Sequence, residues 1–379
     1  MKTSRNRILI DASAIISRHK SGVAKTVEAL ASEFSGLKSP FEIVLFAPFD
    51  KVKMLEKQFD LPIKKIPIPD YFYRGLRKFD ILPPLDLLLG KGVYIFPNYW
   101  NSRLLFSKSL TIIYDLSFLL FAVFVEPKNK AYLSRNIRRW ASRTTRVVTI
   151  SEYLAEQITE TLAVPRNDIR VIYPGVNRSL YIRKEPAVAE RTLERFGLNK
   201  PYILTVGNIE PRKNLGTLIQ AYLNSDISIR NKYTLVLVAN GGWNNETLMS
   251  TVNKAVSDGY DVRILSSVLD DQLVALYSSA AVYMQLSYYE GFGLTPLEAM
   301  ACGATVLLSD IPVFREVFGD SAEYVDPNDA NAVQQAMSGV LKGDANTIGN
   351  AKRMHLFDKY DWRTSAHDLL DVAQEIAGK

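Results

Sequence analysis

Cysteine is almost missing from this chain: Cys302 is the only one, so no intrachain disulfide can form, and a reducing compartment fits. Histidine is nearly as scarce. His19, His355 and His367 are scattered, and neither an HExxH nor a CxxC pattern occurs, so no metal site is expected. Long apolar runs are lacking too. The run Phe118 to Val125 falls far short of the ~20 residues that span a bilayer. The polar start Met1-Lys2-Thr3-Ser4-Arg5 has no signal-peptide core, and a cytoplasmic location is expected. There is no GxGxxG fingerprint and no Gly-Lys-Ser/Thr loop, which removes the main warrant for an NAD or ATP site.

What is present describes a globular protein of two domains. With 379 residues, 47% hydrophobic and 23% charged, the chain is too long for one ordinary core and too apolar for disorder. Its charge is uneven. Residues 1–178 hold 28 Lys+Arg against 16 Asp+Glu, net +12; the remainder holds 18 against 24, net −6, and the two sum to the +6 of the whole. Such asymmetry points the first half towards an anionic partner such as an acidic acceptor or a membrane surface. Nucleic acid is not expected, since no recognised nucleic-acid module accompanies the charge.

Short apolar strands alternate with helical patterns twice over. Arg7–Ala12, Glu42–Phe46, Gly92–Phe96, Leu110–Tyr114 and Val147–Ile150 read as one parallel sheet. The pattern restarts at Tyr202–Gly207 and continues through Thr234–Ala239, Val262–Leu265, Ala281–Gln285, Thr305–Leu308 and Ala322–Val325. A Pro-Gly turn at Tyr173-Pro174-Gly175-Val176-Asn177 separates the two, and a last amphipathic helix is expected from Trp362.

The stretch with most chemistry is Tyr289-Glu290-Gly291-Phe292-Gly293-Leu294-Thr295-Pro296-Leu297-Glu298-Ala299-Met300-Ala301-Cys302-Gly303. Its glycines permit positive φ and uncover backbone amides. Pro296 suits the first helical position, and amides at a helix start attract phosphate. Glu290 in the loop and Glu298 about one turn into the helix can address one ligand from two ends, accepting from sugar hydroxyls. A second charged loop, Gly207-Asn208-Ile209-Glu210-Pro211-Arg212-Lys213-Asn214, places two cations at a helix start, where the macrodipole disfavours them.

These segments resemble the retaining glycosyltransferases of family 4, which have the GT-B fold. EGFGLTPLEAMACG is similar to their E-x7-E signature, and the Gly207 loop to their G-x-x-x-x-R-K-N element. The resemblance implies an α/β protein of two Rossmann-like domains facing across a cleft. Residues 1–176 would bind acceptor, residues 177–361 the nucleotide sugar, and a helix over 362–379 would cross back to the first domain. It implies that Glu290 holds hydroxyls of the donor sugar, that Glu298 holds the ribose, and that Arg212 and Lys213 grip the diphosphate. Gly207, Gly291, Phe292, Gly293 and Leu294 would line the phosphates, and Val268, with Ser266 and Ser267, would meet the nucleobase. Gly22, after the first strand, resembles the loop that approaches the phosphates from the first domain, although a lone glycine there also suits a plain turn.

Tyr114-Asp115-Leu116-Ser117-Phe118 resembles the H-D-L-S-F segment of mannosyl- and rhamnosyl-transferring members, with Tyr114 where histidine is usual. Tyr114 and Asp115 are therefore candidates beside the reaction centre; Asp115 equally suits capping of a turn. The implied activity moves a hexose, mannose first, from a nucleoside diphosphate, GDP-mannose first, to a hydroxyl of a growing, lipid-linked surface glycan such as lipopolysaccharide. No separate cofactor and no metal are implied. Two alternatives stay open: a sugar-nucleotide-binding docking subunit whose Tyr114 records lost catalysis, and another GT-B enzyme such as a sugar-nucleotide epimerase. Tyr71–Phe79 interleaves aromatic and basic residues, and Arg135, Arg138, Arg139, Arg143 and Arg146 form a basic stretch; either suits peripheral contact with anionic lipid.

Overall fold

Apolar runs buried on both faces require helices on both sides of a sheet, and the chain builds that arrangement twice. The computed structural model describes residues 6–16, 22–239, 241–243, 246–343 and 350–378; His19 and Ser21 lie outside the described residues. The chain forms two compact units. One comprises Met1–Leu116, Ala131–Gly175 and Tyr360–Lys379, the other Ser117–Lys130 and Val176–Lys359.

The first unit holds β1 (Arg7–Asp11), β2 (Glu42–Pro48), β3 (Ile63–Ile66), β4 (Val93–Phe96), β5 (Lys108–Ile113), β6 (Arg146–Thr149) and β7 (Ile169–Val171). Their order is β3-β2-β1-β4-β5-β6-β7, and every pairing is parallel. The second unit holds β8 (Tyr202–Val206), β9 (Thr234–Val238), β10 (Val262–Leu265), β11 (Val282–Gln285), β12 (Val306–Ser309) and β13 (Glu323–Val325). Their order is β10-β9-β8-β11-β12-β13, again all parallel. Each sheet changes winding direction once, between β1 and β4 in the first and between β8 and β11 in the second. Crevices at the carboxyl ends of strands beside such a switch are where open α/β sheets bind ligands. In the second unit Leu235, Leu237, Val282, Met284 and Leu307 of the sheet form one core with Leu218, Ile219, Val333 and Met337 from its helices.

The last helix, Trp362–Ala377, belongs to the first unit. Asp361 caps it, Ser365 Oγ donates to the Tyr173 carbonyl at 2.6 Å, and Lys108 Nζ donates to the Ile376 carbonyl at 2.9 Å. A Cβ on Gly175 would sit 2.2 Å from the Trp362 amide nitrogen, so only glycine lets the linker pass there.

Two features differ from the chain-order reading. Residues 117–130, placed with the first domain in sequence, group with the second unit, where Phe121 packs on Tyr289 at 4.8 Å and Phe124 stacks on Tyr288 at 5.4 Å between ring centroids. The basic stretch is also largely engaged internally. Arg143 makes a two-pronged bond to Asp80 at 2.7 and 2.8 Å, Arg139 and Arg103 approach the same carboxylate, and Arg146 pairs with Asp168. These arginines draw the Asp80 carboxyl below its ordinary value, the bond from Arg143 foremost.

Candidate active site

The loops that leave β8 and β11 emerge side by side at the switch point of the second sheet. After β8 the chain makes a tight turn over Pro211–Lys213 and passes through Asn214 in the left-handed region, φ 54°. Asparagine tolerates that conformation, and its side chain holds the turn: Asn214 Nδ2 donates to the Pro327 carbonyl at 2.8 Å, and Thr217 Oγ1 donates to Asn214 Oδ1 at 2.7 Å. The turn is further tied to the β11 loop, where the Tyr288 amide donates to the Arg212 carbonyl at 3.0 Å.

Arg212 and Lys213 thereby converge on Glu290. Lys213 Nζ lies 2.6 Å from Glu290 Oε1 and Arg212 Nη1 2.7 Å from Oε2. Arg212 Nη1 also donates to the Tyr289 carbonyl at 2.6 Å, and its other nitrogen approaches Glu210 at 3.5 Å. Ser287 Oγ donates to Glu290 Oε1 at 2.7 Å and Gln285 Nε2 at 2.9 Å. The Glu290 side chain is only 12% exposed. Burial alone would raise its pKa, but Arg212 and Lys213 outweigh burial and bring it down to about 2. Glu290 is thus an ionised acceptor at any working pH, a weak base, and the group that fixes both cations in place.

Sequence reasoning found these three residues but not their support. Gln285, at the end of β11, is buried and receives Tyr283 Oη at 2.9 Å and Thr295 Oγ1 at 2.8 Å while donating to Glu290. A polar residue closing the otherwise apolar strand Val282–Gln285 was the available signal: a buried amide needs partners.

Gly293 takes φ 122°, and a Cβ there would stand 2.9 Å from the Phe314 ring, so glycine is required. The following helix starts at Leu294 and runs to Ala301, which puts Pro296 at its third position rather than its first; the missing amide hydrogen is still one that no helical carbonyl would have received. Gly291 and Phe292 are buried in the loop between Glu290 and that helix. Glu298 sits in a cluster of its own. Tyr277 Oη donates to Glu298 Oε2 at 3.3 Å, the Tyr181 phenol is also hydrogen-bonded to it, and burial raises both phenols, keeping them protonated. Gly207 leaves β8 at φ 154° with the Lys213 stem beside it, and Val268 lies in the loop after β10.

The remaining candidates belong to the first unit. Gly22 is the exposed first residue of the helix Gly22–Gly36. Tyr114 is buried, its hydroxyl donates to the Pro97 carbonyl at 3.1 Å, and burial raises its pKa. Its phenol is committed to the scaffold. Asp115 accepts from Tyr99 Oη at 2.9 Å. Among the described residues no group of three His, Cys, Asp or Glu side chains is placed to hold a metal ion, and no helix is long and apolar enough to cross a membrane.

Residues 189–355 match the family model described as glycosyl transferases group 1, and residues 114–180 match glycosyltransferase family 4. An O-antigen chain mannosyltransferase B of Escherichia coli is 30% identical over 283 residues, covering 74% of this chain and 73% of the relative. The chain belongs to the family 4 glycosyltransferases. A second relative, the O-antigen chain mannosyltransferase RfbU of Salmonella typhimurium, is 31% identical over 56% of this chain and 55% of its own length. Among solved structures, the sucrose-phosphate synthase of Thermosynechococcus elongatus superimposes with a TM-score of 0.73 at 18% identity, over 99% of this chain and all of that one. The fold is GT-B.

Proposed function

We propose that this glycosyltransferase moves a mannosyl residue from a nucleoside diphosphate, GDP-mannose first, to a hydroxyl of a growing, lipid-linked surface glycan, with retention at the anomeric carbon. The observation that carries the proposal is the Glu290–Arg212–Lys213 cluster at the switch point of the second sheet. A glycosyl donor separates into an electron-poor sugar and a diphosphate that gains negative charge as the bond breaks. Two cations already fixed by Glu290 stabilise that charge without reorganising, which favours the transition state over the ground state. In this reading Glu290 also accepts from hydroxyls of the donor sugar, and Glu298 from the ribose. With a pKa of about 2 and two cations on it, Glu290 is a poor nucleophile, so the leaving phosphate is the better candidate to receive the acceptor's proton, attack and departure sharing one face. The O-antigen relatives support mannose and a surface glycan as first choices.

A thermal-shift panel of GDP-, UDP-, dTDP- and ADP-sugars tests the donor, with Arg212→Ala and Glu298→Ala alongside. Stabilisation by one nucleotide class, lost in both variants, is expected; transfer of the sugar to a glycan acceptor, abolished in Glu290→Ala, then excludes a docking subunit. Binding without transfer to any acceptor, or conversion of the donor alone, would move the assignment to a docking subunit or an epimerase.

A further inference from the structure

The turn that follows Tyr114 and Asp115 in the chain sets two aromatic rings against the loop that carries Glu290. A one-turn helix, Ser117–Leu120, runs into a 3-10 turn, Ala122–Phe124, and the Phe124 amide donates to the Phe121 carbonyl at 2.9 Å. In such a turn, side chains three residues apart eclipse. The rings of Phe121 and Phe124 accordingly lie stacked, 6.3 Å between centroids and 11° between planes, while Leu120 and Val123 are exposed. This pair meets a second one. Phe121 lies 4.8 Å from the Tyr289 ring at a tilt of 33°, and Phe124 stacks on Tyr288 at 5.4 Å and 13°. At such separations aromatic pairs attract beyond what their buried area supplies.

The two tyrosines are the residues whose backbone holds Arg212. The Tyr288 amide donates to the Arg212 carbonyl at 3.0 Å, the Tyr289 carbonyl accepts from Arg212 Nη1 at 2.6 Å, and Glu290 is next in the chain. This stretch lies between β11 and the helix that starts at Leu294, outside any helix or strand, so no ladder of backbone bonds fixes its path. A charge cluster that acts without reorganising needs support from neighbours whose own positions are fixed. Gln285 and Ser287 supply it to the Glu290 carboxylate by hydrogen bonds. The rings of Phe121 and Phe124 supply it to the backbone on either side of the Arg212 contact, and Tyr289 is left only 1% exposed.

We propose that Phe121 and Phe124 are positioning residues, which clamp Tyr288 and Tyr289 and so hold Arg212 and Glu290 in register with each other. Their value to catalysis rests on the transfer reaction proposed above, but the clamp itself is tested without any donor. Melting temperatures of the full chain at pH 7 would be compared with and without Glu290→Gln, in the wild type and in Phe121→Ala, Phe124→Ala, Phe121→Tyr and Val123→Ala backgrounds. Rings that merely pack would lower both members of each pair equally, because independent sites add. The gap opened by Glu290→Gln is instead expected to shrink to about half or less in Phe121→Ala and in Phe124→Ala, the sign of coupled sites. It should keep its wild-type size in Phe121→Tyr, which restores the ring, and in Val123→Ala, which alters the exposed side of the turn. A gap of wild-type size in the alanine variants overturns the proposal, as does an equal shrinkage in Phe121→Tyr or the lack of any gap in the wild type. Should one alanine variant fail to fold, the other decides. Thermal stabilisation of the wild type by GDP-mannose, measured alongside, reports separately on the proposed donor.

Discussion

Replacing Glu290 by glutamine keeps its shape and removes its charge, so its cost can be worked from the pKa. The carboxyl stands near 4.5 in an unfolded chain and at about 2 in the folded protein. Between those values the unfolded chain binds more protons, so the stabilisation is fully present above pH 4.5 and lost as the pH falls towards 2. The difference corresponds to about 3 kcal/mol at neutral pH. In a unit of this size that is roughly 6–12 °C of melting temperature. Melting curves of the wild type and Glu290→Gln should therefore differ by about that amount at pH 7, and the gap should close below pH 4.5. A gap that stays constant from pH 7 to pH 3, or no gap at pH 7, would refute the view that ion pairing with Arg212 and Lys213 governs this carboxylate.

Three further outcomes follow from single contacts. Gln285→Leu removes a donor to Glu290 and leaves the hydroxyls of Tyr283 and Thr295 without their shared acceptor; we expect a loss of about 1–3 kcal/mol in denaturant melts, with a raised KM for the donor. Gly293→Ala drives a Cβ against Phe314 at a positive φ, so the loop should shift, and donor-induced thermal stabilisation should disappear even where the variant remains folded by circular dichroism. Tyr114→Phe deletes the bond to the Pro97 carbonyl; a destabilisation of about 1 kcal/mol with less than a tenfold fall in transfer rate is expected, whereas a hundredfold fall with stability intact would return the phenol to the chemistry.

Much of this arrangement could be read from residue order because buried parallel strands leave unbroken apolar runs. The strand β3 (Ile63–Ile66) escaped because its two central residues are lysines, tolerated at the edge of the sheet where half the strand meets water. Residues 117–130 were placed by chain order, yet the packing of Phe121 and Phe124 against Tyr289 and Tyr288 decides which unit holds them, and no local pattern encodes a contact across that separation. At the site, the motif resemblance brought out Glu290, Arg212 and Lys213 separately. Their union lies 77 residues apart in the chain, and with it comes the depressed pKa. Of the supporting layer, Gln285 left a signal as the polar residue closing an apolar strand, whereas Ser287, Tyr277 and Tyr181 left none for the same reason: each is an ordinary loop or helix residue until the fold aims it.

The two carboxylates consequently have different chemistry. Glu298 is held by neutral phenols that burial keeps protonated, so it remains a hydrogen-bonding anchor. Glu290 is held by cations, and this has a kinetic consequence. A group with a pKa of about 2 stays ionised across the range in which an enzyme is assayed, so it cannot supply the acid limb of a pH profile above pH 5. If kcat/KM falls between pH 7 and pH 5, Glu290→Gln should lower the whole curve and leave the midpoint of that limb in place, because another group, such as a donor phosphate, titrates there. An acid limb that vanishes in Glu290→Gln would mean that substrate binding strips the cations from Glu290 and raises its pKa by several units. The carboxylate would then become a candidate base, and the proposed role of preorganised charge in the departure of the diphosphate would fail.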